Sequence, residues 1–198
     1  MSTKDVLLFI CDGFSDWEPS YATVGISMTG TYQLKTVGPT KESVTSMGRL
    51  TVTPDLEINE VDISQTAMLI LPGGTSWEDA EITHPARELV ERCLANDIPV
   101  AAICAATEFL AREGWLDEIE HTSNHPEFLK MAAPGYRGAE RYRVEPAVTA
   151  GNIITASGIS PLSFAREIFE RLDLTKDKEL REWFQWFERF NTETVGVG

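Results

Sequence analysis

The amino-acid sequence predicts an α/β fold, in which a mostly parallel β-sheet is covered by helices on both faces. Residues 6–10 (VLLFI), 67–71 (AMLIL) and 98–103 (IPVAAI) are uncharged apolar runs, which is the pattern of strands buried on both faces. Segments with helical spacing of apolar residues alternate with these runs. Such alternation is typical of parallel sheets whose strands are joined by crossover helices.

The predicted elements follow in a regular order along the chain. Strands are expected at residues 6–10, 33–37, 67–71, 98–103 and 152–156. Helices are expected at residues 18–29, 86–95, 107–113 and 161–172. Pro85 and Pro161 stand where a proline is favoured, at the first turn of a predicted helix. Prolines and glycines break residues 124–143, which form either a substrate-facing loop or a plain crossover.

A last helix is expected at about residues 176–191, where aromatic side chains stand at helical spacing among charges. These aromatic residues are Trp183, Phe184, Trp186, Phe187 and Phe190. Packing of this helix onto the rest of the domain is the first interpretation. A dimer contact is the alternative, because aromatic residues are enriched in interface cores.

Length and composition limit the function classes. The 198 residues fit one domain, residues 1–198, and the net charge of -14 argues against binding to nucleic acid or to an anionic membrane. No signal-peptide pattern or apolar run of membrane-spanning length is present, so a cytoplasmic protein with a small-molecule substrate is expected. Cys11, Cys93 and Cys104 have no CxxC spacing, so we expect reduced thiols, no metal site and no cofactor.

Cys104 is the first candidate for chemistry, because it stands where an apolar strand pattern gives way to a helix pattern. A side chain at such a turn lies at the carboxyl edge of the sheet, where open α/β folds bind ligands. The amino terminus of the following helix is expected to favour a thiolate. The alternative is a buried core cysteine, since free cysteine is among the most buried residue types.

Further candidates follow the other strands. Asp16 and Glu18 come after the first strand, and Glu18 is expected to point back toward the sheet edge and exchange a proton with the thiol, although helix capping also explains acids there. Gly74 closes the strand at 67–71, and its N–H together with that of Ala105 is a candidate oxyanion site; a simple turn is the alternative.

Two histidines are candidates for a base that activates the thiol. His125 precedes a proline, which favours an extended backbone compatible with a loop at the site. The alternative is that both histidines are solvent-exposed and idle, and this interpretation is stronger for His121 than for His125.

The order of these residues resembles the PfpI superfamily, which includes the parkinsonism-associated deglycase and class I glutamine-amidotransferase-like proteins. The resemblance rests on Glu18, on residues 71–74 (LPGG), on residues 101–105 (AAICA) and on the Ser157–Gly158 turn. It implies a flavodoxin-like three-layer sandwich, a homodimer or larger assembly, and a reactive Cys104 at a nucleophile elbow with a protonated Glu18 bonded to it.

Departures from the family patterns narrow the implied activity. Ala102 and Ala106 occupy positions where glutamine amidotransferases have glycine, and residues 160–162 (SPL) replace their late His-x-Glu pair. Ala105 stands where the family's peptidases have histidine directly after the cysteine. Both amidotransferase and peptidase activity are therefore disfavoured.

Two other branches of the family remain open. His125 before Pro126 matches the placement in the deglycase branch. Asp16 and Thr107 match the acid and the threonine that isocyanide hydratases use. The sequence thus predicts a cysteine-dependent enzyme acting on a small electrophile such as methylglyoxal or its adduct. The alternatives are a non-enzymatic oxidative-stress sensor or chaperone that uses the same cysteine, and an isocyanide hydratase or another hydrolase.

Overall fold

The computed structural model describes residues 3–193 and has a seven-stranded central sheet in the order β5-β2-β1-β6-β7-β9-β8. In chain order the strands are β1 Asp5–Phe9, β2 Gln33–Gly38, β3 Val44–Thr45, β4 Thr51–Val52, β5 Leu56–Glu57, β6 Thr66–Leu71, β7 Val100–Ile103, β8 Ala147–Ala150 and β9 Ile153–Ala156. The α-helices are α1 Ser20–Thr29, α2 Ala80–Leu94, α3 Ala105–Arg112, α4 Pro126–Ala132, α5 Pro161–Arg171 and α6 Lys178–Glu193. Short 3₁₀ turns cover Ile58–Glu60, Ile63–Gln65 and Ala139–Arg141.

The sheet is parallel except at one edge. β1 pairs in parallel with β2 and β6, and β7 pairs in parallel with β6 and β9. Only the edge strand β8 runs antiparallel, against β9, among the strands of this sheet. The carboxyl ends of β1, β6, β7 and β9 therefore meet at one edge.

Two apolar cores cover the two faces of the sheet, because successive side chains of a strand point in opposite directions. Leu7 and Phe9 of β1 belong to the core that packs under α2 and α3. Val6 and Leu8 belong to the other core, which includes buried residues of α1, α5 and α6. Helices on both faces make the three-layer α/β sandwich that the sequence predicts, so the fold class is confirmed.

Helix α2 begins earlier than predicted. Asp79 caps it by accepting a hydrogen bond of 2.9 Å from the Glu81 N–H, and the helix continues through His84 and Pro85 to Leu94. Pro85 thus lies inside the helix rather than at its start, and the prediction of a helix beginning at about residue 86 is wrong. The Asp79 cap, rather than Pro85, determines where the helix begins. Pro85 is tolerated inside the helix because a proline removes only one backbone hydrogen-bond donor.

The terminal helix α6 is confirmed, and its aromatic face packs on α1 and α5. Phe184 is buried with its ring centroid 5.3 Å from that of Phe169. Phe187 packs against Tyr21 at 5.0 Å. Trp186 differs from the prediction, because 69% of its surface is exposed. The side chain of Phe190 lies outside the described residues.

No helix within the described part of the chain is both long and apolar enough to cross a membrane.

Candidate functional site

Cys104 forms a sharp turn between β7 and α3. Its backbone angles are φ 59° and ψ -128°, a region that costs a residue with a side chain about 1–3 kcal/mol. Its N–H donates to the Ala156 carbonyl at 3.0 Å, and its own carbonyl accepts from the Thr107 N–H at 3.0 Å. This strained turn has the strand-turn-helix geometry of a nucleophile elbow and presents Sγ at the carboxyl edge of the sheet.

Glu18 lies directly against this cysteine. The residue stands just before α1, only 1% of its surface is exposed, and its Oε2 accepts a hydrogen bond of 2.6 Å from the Gly73 N–H. Its Oε1 is buried and makes no hydrogen bond among the described residues, while the Cys104 thiol lies next to the carboxyl. A buried oxygen in this state is a ready acceptor for a proton.

Two glycines allow the carboxyl and the thiol to lie so close. A Cβ atom on Gly73 would stand 2.6 Å from Glu18 Oε2 and 2.7 Å from Cys104 Cβ. A Cβ atom on Gly158 would stand 2.8 Å from Cys104 Sγ and 3.0 Å from Glu18 Oε1. Any side chain at either position would therefore displace the reacting groups.

Burial shifts the ionisation of Glu18 into the neutral range. The pKa of this carboxyl is raised from 4.5 to about 7 because burial disfavours the charged form. The Gly73 hydrogen bond and the nearby Cys104 and Ser15 side chains lower the pKa by less than burial raises it. Glu18 can accordingly accept and return a proton at physiological pH.

The thiol differs from the sequence-based expectation. The pKa of Cys104 is raised from 9.0 to about 11, mainly because burial disfavours the thiolate; Glu18 also acts to raise it, while Asn124 and the Ala105 N–H at the start of α3 act to lower it. The helix terminus acts in the predicted direction, but desolvation outweighs it. The expectation of a thiolate favoured in the free site is therefore wrong, and the site holds a thiol beside a carboxyl group of near-neutral pKa.

Asn124 is the residue that the sequence analysis missed. Its Nδ2 donates to Cys104 Sγ at 3.3 Å, and its Oδ1 accepts from the Gly158 N–H at 2.9 Å. The side chain thereby joins the thiol to the turn after β9. The only signal in the sequence is its position directly before His125 and Pro126, the pair that drew attention to this loop.

The two histidines of this region occupy other roles. The exposed ring of His125 caps α4, with Nδ1 accepting from the Glu127 N–H at 3.2 Å, and its ring packs near Phe128. His121 is fully buried, which corrects the expectation of an exposed ring. Its Nδ1 lies 2.8 Å from the Ile119 carbonyl and its Nε2 lies 2.5 Å from the Tyr136 hydroxyl.

The remaining predicted site residues lie around the elbow with different partners. Asp16 accepts from the Ser46 hydroxyl at 2.8 Å. The Thr107 hydroxyl donates to the Cys104 carbonyl at 2.6 Å and is 2.7 Å from the Ser123 hydroxyl. Gly74 forms a backbone bridge with Phe14. The N–H that donates to Glu18 belongs to its neighbour Gly73.

A cavity of about 290 Å³ lies next to Asn124, the residue that donates to the thiol, although neither Cys104 nor Glu18 lines it. Its walls include Asn124, Tyr142, Ser157 and Ile159, and Glu145 is its only charged lining residue in the described part of the chain. Ile159 is 91% exposed at its rim. The cavity is therefore sized for a small molecule and offers no cation to an anionic one. Within residues 3–193, no group of three or more histidine, cysteine, aspartate or glutamate side chains is placed to hold a metal ion.

Comparison with known proteins finds a match to one family over most of the chain. The model of the DJ-1/PfpI family matches residues 4–171. The chain is 36% identical to "Uncharacterized protease YoaZ" of Bacillus subtilis, over 97% of this chain and 99% of that protein. It is 30% identical to "Deglycase TK1284" of Thermococcus kodakarensis, over 60% of this chain and 70% of that protein.

The fold also matches a solved structure closely. The thiJ/pfpI family protein from Bacillus anthracis superposes with a TM-score of 0.86 at 38% identity. The match covers 93% of this chain and 90% of that one.

Proposed function

The chain belongs to the DJ-1/PfpI family, and we propose that it is a cysteine-dependent enzyme acting on a small, uncharged carbonyl electrophile such as methylglyoxal or its adduct. One observation carries the proposal. The thiol of Cys104, held on a strained elbow, contacts a buried Glu18 carboxyl whose pKa is raised to about 7 and whose Oε1 makes no hydrogen bond among the described residues.

The first step needs one proton acceptor. Sγ of Cys104 forms a bond to the aldehyde carbon, the carbonyl π pair moves to oxygen, and the thiol proton passes to the Glu18 carboxylate. The Ala105 N–H, which faces the sulfur, donates to the new alkoxide. Glu18 then returns the proton to that oxygen, which completes a neutral hemithioacetal.

The same carboxyl can complete the conversion of an α-oxoaldehyde. Glu18, again a carboxylate, takes the proton from the attacked carbon, and the C–H electron pair forms the C=C bond of an enediolate as the neighbouring carbonyl oxygen takes up the hemithioacetal hydroxyl proton. Glu18 then delivers its proton to the neighbouring carbon and the C=O bond forms at the attacked carbon, so that one carbon is oxidised as the other is reduced. The product of this transfer is a thioester on Cys104, and water cleaves it to a 2-hydroxy acid and the free thiol. Methylglyoxal and water thus give lactate without an external oxidant or reductant.

The cavity next to Asn124 supports a small, uncharged substrate. A volume of about 290 Å³ suits a compound of a few heavy atoms, and Glu145 with the net charge of -14 disfavours anions. The proposal therefore favours methylglyoxal over glyoxylate. The Thermococcus relative is named a deglycase, which agrees with this substrate class. The Bacillus subtilis relative is named a protease, but here Ala105 follows the cysteine where the family's peptidases have histidine.

A peroxide sensor would use the same thiol with Glu18 as its proton acceptor, so it is the alternative function that selective oxidation of Cys104 would support. The geometry weakens the other alternative, an isocyanide hydratase. Asp16 and Thr107, the residues that suggest an isocyanide hydratase, bond to Ser46 and to the Cys104 carbonyl rather than to the thiol.

The experiment is turnover of methylglyoxal, measured as lactate formed, by wild type and by Cys104→Ala and Glu18→Gln. We expect Cys104→Ala to abolish turnover and Glu18→Gln to lower kcat about 100-fold or more. Cys93→Ala serves as the matched cysteine control, because Cys93 is a residue of α2 that is buried in the core. Full turnover by Cys104→Ala would refute the proposal.

A further inference from the structure

We infer that Asn124 is a catalytic residue of this site, donating hydrogen bonds to the sulfur and to the substrate oxygen where a histidine base was expected. The inference rests on the proposed function and deepens it. It leaves Glu18 as the one side chain of the described site that moves protons.

The orientation of the Asn124 amide follows from its other partner. The Gly158 N–H can only donate, so the amide atom 2.9 Å from it is the carbonyl oxygen Oδ1. The opposite atom, Nδ2, therefore faces Cys104 Sγ at 3.3 Å as a donor. The turn after β9 fixes this orientation before any substrate binds.

An amide donor stabilises negative charge without exchanging a proton. As Glu18 takes the thiol proton, charge develops on Sγ, and the Nδ2 hydrogen bond to Sγ strengthens with it. Once sulfur is bonded to carbon it becomes a weak acceptor, and the same N–H is free to donate to the alkoxide. Asn124 also lines the cavity, so its second N–H is available to a neighbouring oxygen of the substrate.

This arrangement selects a class of substrate. A compound with oxygens on two adjacent carbons, such as an α-oxoaldehyde, can place one oxygen at the Ala105 N–H and the other at Asn124 Nδ2. A simple aldehyde leaves the second donor unused. We therefore expect Asn124 to favour 1,2-dicarbonyl compounds.

The test compares three variants at this position and nearby. Asn124→Ala removes both hydrogen bonds, whereas Asn124→Asp keeps the acceptor for the Gly158 N–H and replaces the donor by a carboxylate. His125→Asn keeps an acceptor for the α4 cap while removing the imidazole. Asn96→Ala is the matched control, because Asn96 is exposed and donates to the Arg92 carbonyl away from the site.

Two readouts are measured. The first is kcat and KM for methylglyoxal, and the second is the rate of Cys104 alkylation by iodoacetamide at pH 7 to 10, which needs no turnover. We expect Asn124→Ala to lower kcat about 10- to 100-fold with a smaller change in KM, and Asn124→Asp to lower it further. Alkylation should slow in the same order, while Asn96→Ala and His125→Asn stay within about two-fold of wild type.

The comparison of Asn124→Asp with Asn124→Ala, in kcat and in alkylation rate, decides whether Asn124 acts as a donor to the sulfur. If Asn124 only tied the loop to Gly158, then Asn124→Asp would retain more activity and faster alkylation than Asn124→Ala, and this result would overturn the inference. A large loss in His125→Asn alone would also overturn it. Turnover that survives in Cys104→Ala would instead refute the proposed function, and the alkylation order would still test Asn124.

Discussion

Replacing the buried Glu18 carboxyl by an amide should stabilise the folded protein at alkaline pH relative to wild type. Glu18→Gln keeps an oxygen to accept the Gly73 N–H bond and removes the negative charge from a side chain that is 1% exposed. The wild type must ionise this group in the folded state above neutral pH. The variant has no such group to ionise.

The magnitude follows from the pKa of Glu18 in the two states. The carboxyl titrates at about 4.5 when unfolded and at about 7 when folded, because burial raises its pKa. Below pH 4.5 both states hold the proton, and its contribution to stability is fully present. Between pH 4.5 and 7 the folded state holds a proton that the unfolded state has lost, so stability falls as pH rises. At 1.36 kcal/mol per pH unit, the total loss is on the order of 3 kcal/mol.

Urea unfolding of both proteins at pH 4.5 and pH 8 measures this difference. The free energy of unfolding of Glu18→Gln minus that of wild type should increase by about 3 kcal/mol between the two pH values, a shift of roughly 1 M or more in the relative urea midpoint. Glu170→Gln, at an exposed position of α5, is the control and should show no such increase. A difference between Glu18→Gln and wild type that is the same at both pH values would refute the buried-acid reasoning.

Three further outcomes are expected. The kcat/KM for methylglyoxal should rise with pH through about 7, because the Glu18 carboxylate is the proton acceptor, and a pH-independent profile would contradict this role. Gly158→Ala should lower kcat at least 10-fold with little change in melting temperature, because its Cβ would lie 2.8 Å from Sγ; unchanged kinetics would show that the turn yields. Mass spectrometry after limited alkylation of the native protein should find Cys104 modified before Cys11 and Cys93, since burial raises the pKa of both to about 12; equal labelling would contradict this order.

The approach of Glu18 to Cys104 illustrates what the sequence can predict. Both residues follow buried strands, and the carboxyl ends of parallel strands share one edge of a sheet. This rule brings the ends of β1 and β7 together, and the loop of residues 10–17 then carries Glu18 back to the same edge. The fold class is predictable for the same reason, because the apolar runs of β1, β6 and β7 identify a sheet that is buried on both faces.

Loop conformation is what the sequence does not reveal. Asn124 and His125 are neighbours in the chain, and the backbone angles just before α4 decide which of the two side chains points toward the thiol. His125 has an extended backbone, with φ -164° and ψ 143°, and turns its ring to the helix cap. That places Asn124 on the opposite side, toward Sγ, and the Gly158 N–H holds it there.

The features around Cys104 also separate it from an ordinary core cysteine. Cys11 and Cys93 are buried among apolar residues of one core and have negative φ, as packing alone requires. Cys104 instead adopts a strained backbone that costs about 1–3 kcal/mol, and the neighbouring Glu18 lowers stability by a similar amount above neutral pH. A protein with an unstrained backbone at this position and no buried acid would be more stable. The strained backbone and the buried carboxyl are therefore best understood as requirements of the chemistry at this thiol. If so, Glu18→Gln should have a kcat lowered about 100-fold or more and yet be more stable at pH 8, and a variant that loses both activity and stability would argue that Glu18 serves the fold instead.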